Sequence, residues 1–146
     1  MRKYKVLYSI FTSSYCQAKK CSFEYIDDES SSFEDSISKL KSALNYHVLS
    51  SKQNQWDWRV VITNIEVEIN SLEEQDFNYY FLHWRAGNNF DSLTNEGYLF
   101  FKQFHDQANE ALNVDKQTSW IRDVLIKQEV ISFDDNLKII NLKKIY

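Results

Sequence analysis

The sequence predicts an α+β fold: a mixed, mainly antiparallel sheet with two to three packed helices, in one compact domain over residues 1–146. Three observations lead there. A chain of 146 residues has the length of one ordinary domain and can bury most of its apolar surface in one core. Its 43% hydrophobic and 16% aromatic content against 26% charge is that of a folding chain, not a disordered one. Strand-like and helix-like runs also follow one another without regular βαβ alternation, which favours antiparallel strands interrupted by helices.

Residues 3–12, KYKVLYSIFT, alternate and are rich in Val, Ile, Tyr and Phe, so they read as a first strand. A short second strand follows at CSFEYI, with SSYCQAKK as the polar loop between and Cys16 and Cys21 flanking the hairpin end. Ser31 and Glu34 have the spacing of a capping box, and Phe33, Ile37, Leu40, Leu44 and Val48 continue it at helical intervals to about Leu49. Trp56 to Asn70 is the densest β-branched run, with Val61, Thr63, Ile65, Val67 and Ile69 on one face. It reads as a central strand. Phe77 to Arg85 reads as strand or helix, since Ser71 and Glu74 before it have capping-box spacing; propensity favours the strand, because Tyr, Phe and Trp suit a pleated, half-buried surface, and such a strand would pair back onto the preceding one. From Asp91, Phe100, Phe101, Phe104, Ala108, Ala111 and Leu112 form one broad helical face, predicting a long amphipathic helix. TSWIRDVLIKQ predicts a shorter helix packed through Trp120, Val124 and Leu125, and the end of the chain a hairpin turning at Asp134, Asp135 and Asn136. No internal repeat and no linker is visible.

Average usage would supply about 10 glycines and about 7 prolines in this length, whereas the chain has 2 and 0. An AT-rich coding sequence accounts for that shortage, together with scarce Ala and Arg and abundant Lys, Asn, Ile, Tyr and Phe. It also has a chemical consequence. With only Gly87 and Gly97, no dinucleotide fingerprint, P-loop or nucleophile elbow can be written. Cys16 and Cys21 form no C-x-x-C, and His47, His83 and His105 lack the paired spacing of a zinc module. No metal or cofactor is implied. VLYSIF is too short and polar for a signal peptide's core, no run approaches a membrane span, and a cytosolic protein with free thiols is expected.

Two sets of residues compete as sites. In FNYYFLHWRAG, Phe77, Tyr79, Phe81, His83 and Arg85 alternate with Tyr80, Leu82, Trp84 and Ala86. A strand aromatic on both sides is either interior to a covered sheet or the wall of a pocket in which His83, Trp84 and Arg85 meet an anionic metabolite or nucleotide. Arginine would grip the anion and histidine would move a proton, but spacing names no acid partner for His83. His47 and His105 read as residues flanking the core.

The second set is charge. Residues 1–23 carry net +5, residues 24–76 net −8 and the remainder −1. Asp27, Asp28, Glu29, Glu34 and Asp35 cluster before and at the first helix, and Glu73, Glu74 and Asp76 follow the β-branched run. Part of this cluster has a structural reason in the helix dipole. The rest suits a basic protein partner and repels phosphate, so direct nucleic-acid binding ranks below protein binding. The expectation is a small acidic module that neutralises or inhibits a basic, nucleic-acid-handling partner, in the manner of an immunity protein or an anti-defence inhibitor. A ligand-binding domain or small enzyme built on His83 and Arg85 is the alternative. Oligomeric state is not legible.

Overall fold

The computed structural model describes residues 1–12, 19–28, 32–51, 58–69, 77–87, 95–104 and 108–146. The chain divides into two compact units, Met1–Glu73 and Glu74–Tyr146. Each is itself α+β, with a three-stranded antiparallel sheet.

In the first unit, β1 (Arg2–Thr12) forms a hairpin with β2 (Lys19–Asp27), α1 (Phe33–Ser51) follows, and β3 (Trp58–Ile69) returns to the free edge of β1. The strand order is β2-β1-β3. β1 buries Tyr4, Val6, Tyr8 and Ile10 on one face and leaves Lys5 and Leu7 exposed on the other. The stripe Phe33, Ile37, Leu40, Leu44 and Val48 is buried along α1. Phe33 lies near Tyr4, with ring centroids 6.3 Å apart, so this helix covers the apolar face of the sheet. The helix starts one residue later than the expected capping box. Ser32 Oγ accepts from the Asp35 N–H at 3.2 Å and the Ser32 carbonyl accepts from the Ser36 N–H. Ser31 lies outside the described residues.

The β-branched run is an edge strand, not the central one, because β1 sits between its neighbours. Nor does it keep one face. Register shifts where Leu7 faces Asn64 but Tyr8 faces Ile62, leaving Thr63 as a bulge whose hydroxyl donates to the Leu7 carbonyl. Ile65 and Val67 therefore share a face with Ile62 and Val60, beside Val6, Tyr4, Tyr8 and Ile10. A strict period of two across Thr63 misassigns half the strand.

In the second unit, β4 (Phe77–Gly87) is the middle strand between β5 (Asn95–Phe104) and β6 (Asn136–Lys144), in the order β5-β4-β6. β4 is a strand, as propensity indicates, but it pairs forward with β5 and β6 rather than back onto β3. The expected long helix from Asp91 is wrong for its first part: 95–104 is β5. The helical part begins with α2 (Ala108–Ala111) and continues as α3 (Val114–Lys127), capped by Asn113 Oδ1 accepting from the Lys116 N–H. The terminal hairpin is not formed. Ser132 to Asp135 closes a turn that leads from α3 into β6, and Ile131 is buried in that connection. Leu82, Trp84, Ala86, Ile121, Leu125, Ile131 and Leu137 make the core, with α3 on the Trp84 face of the sheet. Each fully buried Leu or Ile contributes about 1.5–3 kcal/mol. α3 ends with Glu129 at φ 59°. Its N–H donates to Ile126 O and that of Val130 to Leu125 O, a Schellman closure with glutamate where glycine is usual.

The two units have one topology and one register. Tyr8 faces Cys21 and Trp84 faces Gly97, pairs related by a shift of 76 positions (8 to 84, 21 to 97). The bulge recurs. His83 faces Asn141 and Trp84 faces Ile139, leaving Ile140 in the place of Thr63. Buried Tyr4, Val6, Tyr8 and Ile10 match buried Tyr80, Leu82, Trp84 and Ala86, and Leu40, Leu44 and Val48 have the spacing of buried Gln117, Ile121 and Leu125. The reading of no internal repeat is thus corrected: the repeat lies in topology and register, not in residue identity.

Candidate functional site

His83 and Arg85 share the β4 face opposite Trp84. Antiparallel pairing sets Glu96 across from Arg85 and Tyr98 across from His83. Glu96 Oε1 accepts a hydrogen bond from Arg85 Nε and lies 3.2 Å from His83 Nε2. The residue that spacing could not name is therefore Glu96. Two of the three side chains are almost wholly buried, His83 at 2% and Glu96 at 6% exposure, while Arg85 reaches solvent. His83 Nε2 lies beside Glu96 but has no aligned hydrogen-bond partner. Burial pushes the Glu96 carboxyl up. The His83 imidazole beside it and the Arg85 guanidinium that donates to it outweigh that and hold it below the usual carboxylate range.

This arrangement limits the chemistry. An ionised carboxylate already occupies Arg85 Nε and would repel an incoming anion, so the charge that a phosphate or carboxylate ligand would seek is matched from within. Trp84 does not join the pair. Its indole faces α3 and packs on Gly97, where an added Cβ would come within 2.4 Å of the ring. The surrounding face is a ladder of rings: Phe81 against Phe100 at 5.4 Å, Tyr98 edge-on to Phe100, Phe77 against Phe104, and Lys102 Nζ 4.7 Å from the Phe77 centroid. Burial raises the Tyr98 phenol above its ordinary value.

The acidic cluster separates into two kinds of carboxylate. Asp27, the last residue of β2, is 3% exposed and faces Arg2 in the ladder. Its Oδ2 accepts from Ser36 Oγ at 2.6 Å, Ser36 Oγ in turn meets Tyr4 OH at 2.5 Å, and Lys39 Nζ stands 4.0 Å from Oδ1. Arg2 lies 5.7 Å over the Phe33 ring and its NH1 reaches Ser32 O at 3.5 Å. Asp27 therefore ties the sheet to the first turn of α1 and is enclosed. Asp28, Glu34 and Asp35 are exposed at the same junction. Glu29, Glu73, Glu74 and Asp76 lie outside the described residues.

His47 is exposed on α1 with its ring 4.9 Å from that of Phe23. His105 and Cys16 are outside the described residues, and Cys21 is a half-buried free thiol. Among the described residues no three His, Cys, Asp or Glu side chains converge as metal ligands, and no helix is long and apolar enough to cross a membrane. No protein-family model, curated protein or solved structure matches the chain.

Glu96 has a signal in the sequence only if 95–104 is taken as a strand. An antiparallel hairpin across 88–94 then sets it opposite Arg85, an opposite-charge cross-strand pair. The helical reading of that segment concealed it.

Proposed function

We propose that this chain is a cytosolic protein-binding module that neutralises or inhibits a basic protein, one whose own work is with nucleic acid. The observation that supports this reading is the division of labour at the β2 to α1 junction. Asp27 is enclosed and holds the helix start in place, so that Asp28, Glu34 and Asp35 stand exposed on a fixed scaffold beside it. Carboxylates grouped in this way raise the rate of encounter with a basic surface. They also repel nucleic acid, which the module would displace rather than hold. The matched charges of Arg85 and Glu96 speak against an anion-binding enzyme as the competing assignment.

The test is an affinity capture from native cell extract at low and high salt, run side by side with wild type and the Asp28→Lys/Glu34→Lys/Asp35→Lys variant. A stoichiometric basic protein retained by wild type, released by salt and lost by the folded variant is the expected result. Equal retention by both chains removes this surface from the assignment.

A further inference from the structure

Trp84 and Gly97 face each other across the β4/β5 ladder, and beside them, between β5 and α3, lies an open pocket of about 400 Å³. Trp84, Gly97, Leu99, Trp120, Val124 and Gln128 contribute to its lining, which includes no Asp, Glu, Lys, Arg or His. Trp120, at 43% exposure, stands at its mouth.

The corresponding place in the first unit holds two rings. By register, Cys21 stands where Gly97 does and Phe23 where Leu99 does. By the spacing of the buried helix residues, His47 stands where Val124 does. The rings of Phe23 and His47 lie together with centroids 4.9 Å apart, one from the strand and one from the helix. In the second unit these side chains are a leucine and a valine, and glycine lets the Trp84 indole pack close against β5. Trp84 and Trp120, in the places of Tyr8 and Ala43, wall the space without filling it. The same topology thus displays, in its other copy, what occupies this position: aromatic rings.

We propose that the pocket of the second unit binds a small, uncharged aromatic molecule, whose ring takes the place that Phe23 and His47 fill in the first. The volume falls within the roughly 300–1,000 Å³ of small-molecule sites, and an apolar lining with one amide, Gln128, has their usual chemistry. Absence of a charged side chain from the lining selects against ionic ligands, whose desolvation nothing there would offset. Indole walls favour a flat ring through offset or edge-on contact. This site is separate from the acidic junction and does not depend on the function assigned to it.

Toluene titrated into the full chain tests the proposal by nuclear magnetic resonance. Saturable shifts at the Gly97 amide, the Leu99 and Val124 methyls and the Trp120 indole are expected, at one equivalent. Methylcyclohexane, apolar but not flat, binds more weakly. The variant Leu99→Phe/Val124→His, which transplants the filling of the first unit, weakens toluene binding by at least about tenfold. Where the double variant does not fold, Leu99→Phe alone is held to the same criterion. No saturable shift in wild type, equal affinity for methylcyclohexane, or undiminished binding by a folded filled variant would each overturn the proposal.

Discussion

Lys5 and Phe81 hold the same place in two copies of one topology, and they could hardly be treated more differently. Lys5 is exposed, with Glu68 4.0 Å away and Glu66 and Glu24 opposite it in the neighbouring strands. Phe81 is wholly buried among Phe100 and Tyr98. The contrast continues one step along the strand, with exposed Leu7 in the place of buried His83, and reverses at the next, where Ser9 is buried and Arg85 exposed. On the helix-facing side Tyr4, Val6, Tyr8 and Ile10 are matched by buried Tyr80, Leu82, Trp84 and Ala86. One register therefore supports either a charge ladder in water or an enclosed aromatic ladder, because alternation decides each face separately.

The comparison can be broken most forcefully at Phe81. Phe81→Ala is expected to cost about 3–5 kcal/mol in urea unfolding, the range for a buried aromatic. A loss below 1 kcal/mol would mean that this face is not packed in solution. Next comes Asp27→Ala, which leaves the Ser36 hydroxyl without its buried acceptor and should cost about 1–3 kcal/mol. An unchanged unfolding midpoint would return Asp27 to the surface cluster.

A third effect depends on pH. The Glu96 carboxyl is held below its ordinary range in the folded chain, so its contribution is fully present above the unfolded value near ~4.3 and is lost as pH falls through the folded value. Glu96→Gln should flatten the acid side of a plot of melting temperature against pH. An unaltered slope there would show that Arg85 and His83 do not act on it. The smallest effect is expected at Lys5→Ala, within about 0.5 kcal/mol of wild type, since an exposed ion pair contributes little. A cost like that of Phe81→Ala would erase the distinction between the two faces.

Much of the fold was legible in the residues. The α+β class, β1, β2, α1 and the strand character of β4 follow from periodicity and propensity. β5 did not, although its residues, Tyr98, Leu99, Phe100 and Phe101, carry the same aromatic β-propensity as β4. Rings on both faces of a strand also satisfy the broad stripe of a helix, and only the long-range partner decides between them. The edge position of β3 and its bulge at Thr63 depend on where β1 lies, which no local pattern encodes. The duplication was hidden for the same reason that Lys5 and Phe81 differ: register and the positions of the buried strand residues were kept while outward chemistry was exchanged. At the site, His83 and Arg85 were visible by type, while Glu96 required the pairing of β4 with β5.

The middle strand of each sheet is the first of its unit in the chain, and this sets an order in time. During synthesis at about 5–20 residues per second, β1 acquires β2 almost at once but waits roughly 3–10 s for β3. Through that interval one edge of β1, with Tyr4, Val6, Tyr8 and Ile10 alongside, presents unpaired backbone to any extended segment nearby. β4 meets the same delay before β6 arrives. The nascent chain is therefore most exposed to mispairing twice, each time while the intervening helix is being made.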